Sequence, residues 1–290
     1  MGVTVLEGIQ RSMEFLAKKG VDSPRLQAEL LLARVIGLAR MQLYLNFERS
    51  LSAPEIDALR ELVKRRGQRE PLQHILGSTS FCGYEIAVNR SVLIPRPETE
   101  LLGELGWKYL NQLASSGQND LSALDVGTGS GCLAIALAAK CPAVKVYAND
   151  ISADALQVAR ENTAKNGVLE RIQFLEGNTF AALQPSVKFD LIISNPPYIP
   201  SAEIETLAPE VRDYDPRQAL DGGPDGLDFF RRLGREAANF LKPRGKLMLE
   251  FGDGQAEAIR AILEEQKWIV EAVTEDYTGR LRMLVARGAG

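Results

Sequence analysis

The sequence is poor in the residues from which metal and redox sites are built. Its 290 residues contain one histidine, His74, and three scattered cysteines, Cys82, Cys132 and Cys141. No two cysteines have the CxxC spacing of a zinc or dithiol site, and a zinc site or a histidine-dependent triad needs more ligands than these. We therefore expect no metal site, and unpaired cysteines of this kind are typical of a reducing cytoplasm.

Long apolar runs and an excess of positive charge are also missing. No stretch approaches the ~20 apolar residues of a membrane span, and the first ten residues do not resemble a signal peptide. The formal net charge is −4 and the pI about 5.4, which argues against a surface built to grip nucleic-acid phosphates. We expect a cytoplasmic monomer that requires neither a membrane nor direct nucleic-acid contact.

Hydrophobic periodicity divides the chain into three parts. Residues 1–71 have apolar positions at helical spacing and predict a small helical domain. Residues 72–95 alternate apolar and polar positions around two glycines, which predicts a β-hairpin linker. Residues 96–290 alternate strands with helices and predict an α/β domain with a largely parallel sheet. Its strands are expected near 121–126, 144–149, 171–175, 189–194, 245–251, 268–275 and 280–287.

A glycine-rich turn follows the first predicted strand of this α/β domain. The segment LDVGTGSG covers residues 124–131, and its three glycines allow the backbone to turn tightly and approach a ligand. Asp150 ends the second strand, where it can accept hydrogen bonds from a ribose diol. The G-x-G-x-G spacing and a carboxylate at Asp125 favour a cationic sulfonium ligand, S-adenosylmethionine, over the pyrophosphate of NAD. A tight turn without a ligand is the remaining interpretation.

The fourth predicted strand of the domain ends in Asn195-Pro196-Pro197-Tyr198. Proline cannot donate to a sheet ladder, so the strand stops at Asn195 and a stiff turn lies at the carboxyl edge, where ligands bind in α/β sheets. Such a turn beside a methyl-donor site resembles methyltransferases that act on planar, conjugated –NH2 groups. The Asn195 side-chain oxygen and the Pro196 carbonyl can each accept one N–H, while the Tyr198 ring packs on the planar group.

Four motifs together resemble one family closely. They are IPRPETE at 94–100, the glycine turn, NPPYI at 195–199 and LDGGPDGL at 220–227. With the helical region they are similar to the release-factor glutamine N5-methyltransferases, which methylate the glutamine of the Gly-Gly-Gln loop in peptide-chain release factors. The resemblance implies a class I, Rossmann-like methyltransferase domain with a seven-stranded sheet, a helical domain that helps to hold the release factor, and S-adenosylmethionine as methyl donor.

The resemblance also implies roles for individual residues. Asn195, Pro196 and Tyr198 would be catalytic, and Pro197 and Phe81 would complete the substrate site, although Phe81 suits a hairpin core equally well. Glu98 and Thr99 could close the cofactor pocket or cap a helix. The cofactor would be bound by Asp125, Gly127, Thr128, Gly129, Ser130, Gly131, Asp150, Asn178, Thr179 and Asn195.

One departure from the family pattern concerns the adenine end of the cofactor site. The family often carries an acidic and then an aromatic residue after the third strand, where this chain has Asn178 and Thr179. Three alternatives to the resemblance stay open from the residues alone. They are a methyltransferase for nucleobase amines, which would have to extrude and stack a base, a non-catalytic cofactor-binding partner protein, and an NAD oxidoreductase.

Overall fold

Capping residues and glycines set the ends of many elements in the computed structural model, which describes residues 2–289. At the first helix, for example, Glu7 N–H donates to Thr4 Oγ1 (3.2 Å) and Thr4 N–H donates to Glu7 Oε2 (3.0 Å), which forms a capping box. The helices are α1 (Val5–Lys18), α2 (Pro24–Ile36), α3 (Ala53–Gly67), α4 (Leu72–Leu76), α5 (Pro97–Ser115), α6 (Cys132–Lys140), α7 (Ala153–Lys165), α8 (Pro209–Arg212), α9 (Arg217–Leu220), α10 (Asp228–Glu236) and α11 (Ala256–Glu265). The strands are β1 (Ser78–Phe81), β2 (Tyr84–Ala87), β3 (Leu121–Val126), β4 (Val144–Asp150), β5 (Ile172–Glu176), β6 (Phe189–Ser194), β7 (Leu241–Glu250), β8 (Trp268–Glu275) and β9 (Leu281–Gly288).

Contacts divide the described chain into two compact units. The helical unit comprises the residues up to Ser78 together with Ala208–Tyr214, and the α/β unit comprises the rest. Helices α1 to α4 bury a core of aliphatic side chains, among them Val5, Leu31 and Leu59. The distant segment belongs to this unit because Glu210 accepts from Arg66 Nη2 (2.7 Å) and from Arg69 Nη2 (2.8 Å). Helix α8 of this segment was not predicted from the sequence.

The predicted hairpin linker is shorter in the structure than the 72–95 segment. Strands β1 and β2 form a two-stranded sheet around Cys82 and Gly83, whose positive φ values of 51° and 86° suit a tight hairpin turn. Helix α4 occupies the start of the segment instead of a strand. Pro71 precedes it and Gly77, with φ 83°, ends it, so two backbone signals bound a helix too short for periodicity to reveal.

The seven remaining strands form one mostly parallel sheet in the order β5-β4-β3-β6-β7-β9-β8. Strand β9 runs antiparallel to the other six strands and pairs with β7 and β8. Side chains alternate between the two faces, so that Leu191 and Ile193 enter one core and Ile192 the other. The predicted α/β class is confirmed. No helix within residues 2–289 is both long and apolar enough to cross a bilayer.

The strand order reverses direction between β3 and β6, which creates a crevice at their carboxyl ends. Both strands run parallel, with Asp125 opposite Ile193, so the residues that follow each strand emerge at the same edge of the sheet. Ser194 Oγ donates to the Val126 carbonyl (2.7 Å) and ties the two ends together. Ligands of open α/β sheets bind at such a switch point.

Candidate active site

A cavity of about 500 Å³ opens at this switch point. The glycine turn forms part of its wall. Gly127 and Gly129 have φ values of 71° and 53°, and a Cβ added to either would meet no atom within 4 Å, because both face open space. Gly131 serves packing instead, since its Cβ would lie 3.1 Å from the Cβ of Ala159. The turn therefore exposes bare backbone to a ligand and closes tightly against α7.

Asp150 lies beside the glycine turn with its carboxylate already ordered. Its Oδ2 accepts from Gly129 N–H (2.9 Å) and its Oδ1 from Ser152 N–H (2.9 Å). Each carboxylate oxygen keeps a second acceptor site. Because Asp150 lines the cavity, it presents oriented acceptors of the kind that a vicinal diol needs.

Asp125 is buried beneath the turn, with 1% of its surface exposed. Its Oδ2 accepts from Thr128 Oγ1 (2.6 Å) and from Ala134 N–H (3.2 Å), whereas Oδ1 has no hydrogen-bond partner among the described residues. Burial, with a smaller contribution from the charge of Asp150, raises the pKa of Asp125 to about 7. A buried carboxylate with one unused oxygen would be stabilised by a nearby cationic ligand.

The turn after β5 forms the far end of the cavity. Asn149 holds it by donating to the carbonyls of Gly177 (3.2 Å) and Thr179. Arg232 Nη1 donates to Asn178 Oδ1 (2.7 Å). A guanidinium group has no acceptor, so the Asn178 oxygen must face Arg232 and its amide N–H groups remain for a ligand. Neither Asn149 nor Arg232 was singled out from the sequence, because their roles depend on contacts between segments that are distant along the chain.

The Asn-Pro-Pro-Tyr turn begins directly after β6. Asn195, Pro196 and Pro197 line the same cavity as the glycine turn. Tyr198 points elsewhere: its ring packs against the core that contains Ile192, and burial raises the pKa of its phenol to about 12. The Tyr198 carbonyl accepts from Gln255 Nε2 (2.9 Å), so the end of the turn is fixed from behind.

The segment LDGGPDGL braces this turn through the backbone. Ile199 N–H donates to the Leu220 carbonyl (3.0 Å), and Gly222 N–H donates to the Ile199 carbonyl (2.9 Å). A Cβ on Gly222 would lie 2.8 Å from the Tyr198 Cα, so glycine is required for this close approach. In the structure the segment forms a glycine-rich turn into α10 that supports the Asn-Pro-Pro-Tyr turn.

Comparison with known proteins places these motifs in a family. The PrmC N-terminal domain model matches residues 7–77, and the methyltransferase small domain model matches residues 109–210. The release factor glutamine methyltransferase of Geobacter sulfurreducens is 45% identical over 256 residues, which are 88% of this chain and 87% of that protein. The chain belongs to the release factor glutamine methyltransferase family. The family named from the sequence motifs is therefore confirmed.

Further comparisons agree with this assignment. The release factor glutamine methyltransferase of Chlorobaculum tepidum is 45% identical over 281 residues, which cover 94% of each chain. Among solved structures, a methyltransferase from Pyrococcus furiosus has a TM-score of 0.51 and 21% identity, covering 72% of this chain and 91% of its own. The last likeness concerns the fold alone, and it agrees with a class I methyltransferase sheet.

The structure gathers many of the predicted site residues of this family member into one cavity. Those that line it are Gly127, Gly129, Asp150, Asn178, Thr179, Asn195, Pro196 and Pro197. The other predicted residues are not among the described residues that line it. They are Asp125, Thr128, Ser130, Gly131, Tyr198 and Phe81. Phe81 is 1% exposed and packs in the core between the hairpin and the sheet, the alternative that the sequence left open.

Proposed function

We propose that this protein uses S-adenosylmethionine to methylate the side-chain amide nitrogen, N5, of the glutamine in the Gly-Gly-Gln loop of peptide-chain release factors. The names of its relatives support the substrate class. The observation that carries the chemistry is the position of Asn195 and Pro196, which line one cavity with the glycine turn and Asp150. An amide clamp and a nucleoside cradle thus face the same space.

The clamp must work by orientation, because an amide nitrogen is a poor nucleophile. Its lone pair is delocalised into the carbonyl, and the carboxylates that line the cavity are far too weak to remove an amide proton. The Asn195 oxygen and the Pro196 carbonyl accept the two N–H bonds and favour the pyramidal geometry in which the lone pair is available. Proximity and orientation of this kind are worth roughly 7–11 kcal/mol. S-adenosylmethionine, when bound, supplies an electrophilic methyl group on a sulfonium, and sulfur keeps the electron pair of the broken S–CH3 bond. The methylated nitrogen would then be strongly acidic and would lose one of its two protons to water, which gives the neutral N-methyl amide.

The residues of the cradle fit this cofactor. Gly127 and Gly129 leave room for the cofactor to approach the backbone of the turn, and Asp150 suits the ribose hydroxyls. The negative charge of Asp125, buried beneath the turn, favours a positively charged amino group in the cavity. The Asn178 amide N–H groups suit an acceptor nitrogen of adenine. A pyrophosphate would instead meet two carboxylates, which argues against NAD.

Cofactor affinity should rise with pH between about 5.5 and 7.5. Asp125 has a raised pKa of about 7, so it is protonated at the lower end of this range and must ionise to attract an ammonium group. Isothermal titration with S-adenosylhomocysteine should show affinity increasing on the order of tenfold, with proton release on binding. The Asp125→Asn variant should bind more weakly and lose the pH dependence. A wild-type affinity that is flat over this range would contradict this role for Asp125.

The proposed reaction is tested by intact-protein and peptide mass spectrometry. The protein is mixed with S-adenosylmethionine and a purified release factor, and a factor with Gln replaced by Ala in the Gly-Gly-Gln loop serves as control. One added methyl group on that glutamine, absent from the control, is the expected result. Label transferred only to DNA or RNA in a parallel reaction would contradict the proposal and favour a nucleobase methyltransferase.

The helical unit has a surface suited to the body of the release factor. A cavity of about 390 Å³ lies between α1 and α3, with Gly8, Leu59 and Val63 among its lining residues and the half-exposed Phe15 at its side. Among the described residues that line this cavity, the charged ones are exposed and basic. They are Arg11, Arg60 and Lys64. An apolar groove with a basic rim fits an acidic, amphipathic segment of a protein. We place release-factor docking here.

Reversing the charge at this rim should weaken methylation of the intact release factor but not of a short Gly-Gly-Gln peptide. In the Arg11→Glu/Lys64→Glu variant, KM for the full release factor should rise about tenfold, because rim charges steer the encounter. The kcat/KM for a short Gly-Gly-Gln peptide should stay within about twofold of wild type. The matched variant Lys18→Glu/Arg34→Glu makes the same charge change at exposed positions of the unit outside the groove. If both variants raise KM for the release factor equally, the change in net charge is responsible and not this groove.

We also infer that the protein acts as a cytoplasmic monomer, because its proposed substrate belongs to translation and the proposed reaction uses residues of one chain. Light scattering of the purified protein, with and without release factor, tests the monomer. A stable dimer in the active form would contradict it.

A further inference from the structure

Thr99 contacts the amide group of Asn195 from behind the cavity wall. Asn195 Nδ2 donates to Thr99 Oγ1 at 3.1 Å, across 96 positions of sequence. Thr99 lies in the first turn of α5 within the PRPETE motif, and 2% of its surface is exposed. The contact therefore joins two of the four family motifs without reaching the cavity itself.

Glu250 lies close to this hydroxyl. It ends β7, is also 2% exposed, and the Thr99 side chain is among the groups that favour its ionised carboxylate. Its Oε2 has no partner among the described residues. Burial raises the pKa of Glu250 to about 7; the charge of Glu98 also raises it, while Arg282 and Arg96 oppose the rise. The neighbouring Tyr198 stays neutral in this range because its own pKa is about 12.

A hydroxyl group has a single proton to give, and this decides the orientation of the Asn195 amide. The ionised Glu250 carboxylate can only accept, so a Thr99 hydroxyl that donates to Glu250 can only accept from Asn195, in the direction in which Asn195 Nδ2 donates to it. The –NH2 end of Asn195 is then held at Thr99, and the oxygen end faces the cavity. Without this constraint the amide can turn over, which would present an N–H donor to the substrate's own N–H group.

We propose that Thr99 and Glu250 are positioning residues that hold the Asn195 side-chain oxygen towards the substrate amide. This inference rests on the proposed function for its consequence in catalysis, but the orientation of Asn195 is a property of the protein alone. Both residues act through Asn195, and neither is among the described residues that line the cavity.

The kinetic test compares three single variants and one double variant. Thr99→Val removes only the hydroxyl and should lower kcat about 30-fold, with KM for the release factor and cofactor affinity within about threefold. Thr99→Ser keeps the hydroxyl and should remain within about threefold of wild-type kcat. Glu250→Gln should lower kcat about tenfold, because a Gln amide can donate as well as accept. The double variant Thr99→Val/Glu250→Gln should be no slower than Thr99→Val alone, since the two residues act in series.

The pH profile adds a readout that packing alone would not change. At saturating cofactor, wild-type kcat should rise with pH through about 7 as Glu250 ionises, and Thr99→Val should flatten this rise. Additive losses in the double variant, or equal losses in Thr99→Ser and Thr99→Val, would overturn the proposal. Thermal melting of each variant identifies any that fail to fold.

A spectroscopic arm separates this inference from the proposed reaction. In the free protein, the side-chain ¹⁵NH2 signal of Asn195, assigned by its absence in Asn195→Ala, should shift in Thr99→Val and remain in place in Thr99→Ser. This result would support the orientation even if no release factor were methylated. An unchanged signal in Thr99→Val would overturn it even if methylation occurred.

Discussion

Replacing Asn195 by Ala should lower kcat for release-factor methylation on the order of 10³-fold, because a single preorganised polar group at a reacting centre is worth about 3–4 kcal/mol. The substrate amide would lose the acceptor that directs its lone pair, while the glycine turn and Asp150 would keep their arrangement. Cofactor affinity should therefore change by less than about tenfold. Single-turnover kinetics with labelled methyl donor, together with titration of S-adenosylhomocysteine, measure both quantities.

The control for this prediction is another asparagine of the α/β unit. Asn111 also uses its Nδ2 in one hydrogen bond, to the Lys140 carbonyl at 3.0 Å, but it lies on the exposed side of α5. Asn111→Ala should have wild-type kinetics. A loss of less than tenfold in Asn195→Ala would mean that the transfer does not depend on an amide clamp, and it would remove the central argument for the mechanism.

Replacing Gly226 by Ala should lower kcat about 10²-fold and the free energy of unfolding by about 1–3 kcal/mol. The residue has φ 76°, and an added Cβ would overlap the Tyr198 carbonyl oxygen and lie 2.8 Å from Gln255 Nε2. The end of the Asn-Pro-Pro-Tyr turn would have to shift, and misplacement by about 1 Å is costly in an oriented reaction. Kinetics and chemical denaturation of the same preparation give the two effects.

Gly254 provides a control for backbone strain. Its φ is 77°, nearly that of Gly226, but a Cβ there would meet no atom within 4 Å. Gly254→Ala should therefore lose about 1 kcal/mol of unfolding free energy from strain alone and keep wild-type kcat. If Gly226→Ala and Gly254→Ala have the same kcat, the turn tolerates displacement and the bracing role of LDGGPDGL is wrong.

Most of the fold could be predicted because strands and amphipathic helices leave a local pattern. Strands β3 and β6 lie at 121–126 and 189–194, as the sequence predicted. Strand β7 was placed too late, from 245, whereas it begins at Leu241. Pro243 and Gly245 are unusual within a strand, and the first residues of β7 pair with β6 across an irregular register that only the folded sheet defines.

The site residues that lie within one short motif could be predicted from the sequence, whereas their partners from distant parts of the chain could not. The glycine turn and the Asn-Pro-Pro turn are single short segments, so their residue types reveal their chemistry. Gln255 meets the Tyr198 carbonyl across 57 positions, and Arg232 meets Asn178 across 54. Such partners cannot be paired from one sequence, because the contact depends on which strands become neighbours. From the sequence alone, Glu250 is only the last residue of a strand, and its proposed role depends on the proximity of Thr99 in the folded chain.

The helical unit is continuous in space but not along the chain. The chain leaves the α/β unit for residues Ala208–Tyr214, which belong to the helical unit, and then returns to the α/β unit. Arg66, with only 5% of its side chain exposed, has its charge partner, Glu210, in this segment. Cutting the chain after Ser78 would thus leave Glu210 behind and bury an unmatched guanidinium in the excised piece. A module built from two segments cannot be exchanged between proteins by one crossover in the gene, so the proposed substrate docking of this unit and the proposed methyl transfer are expected to be inherited together.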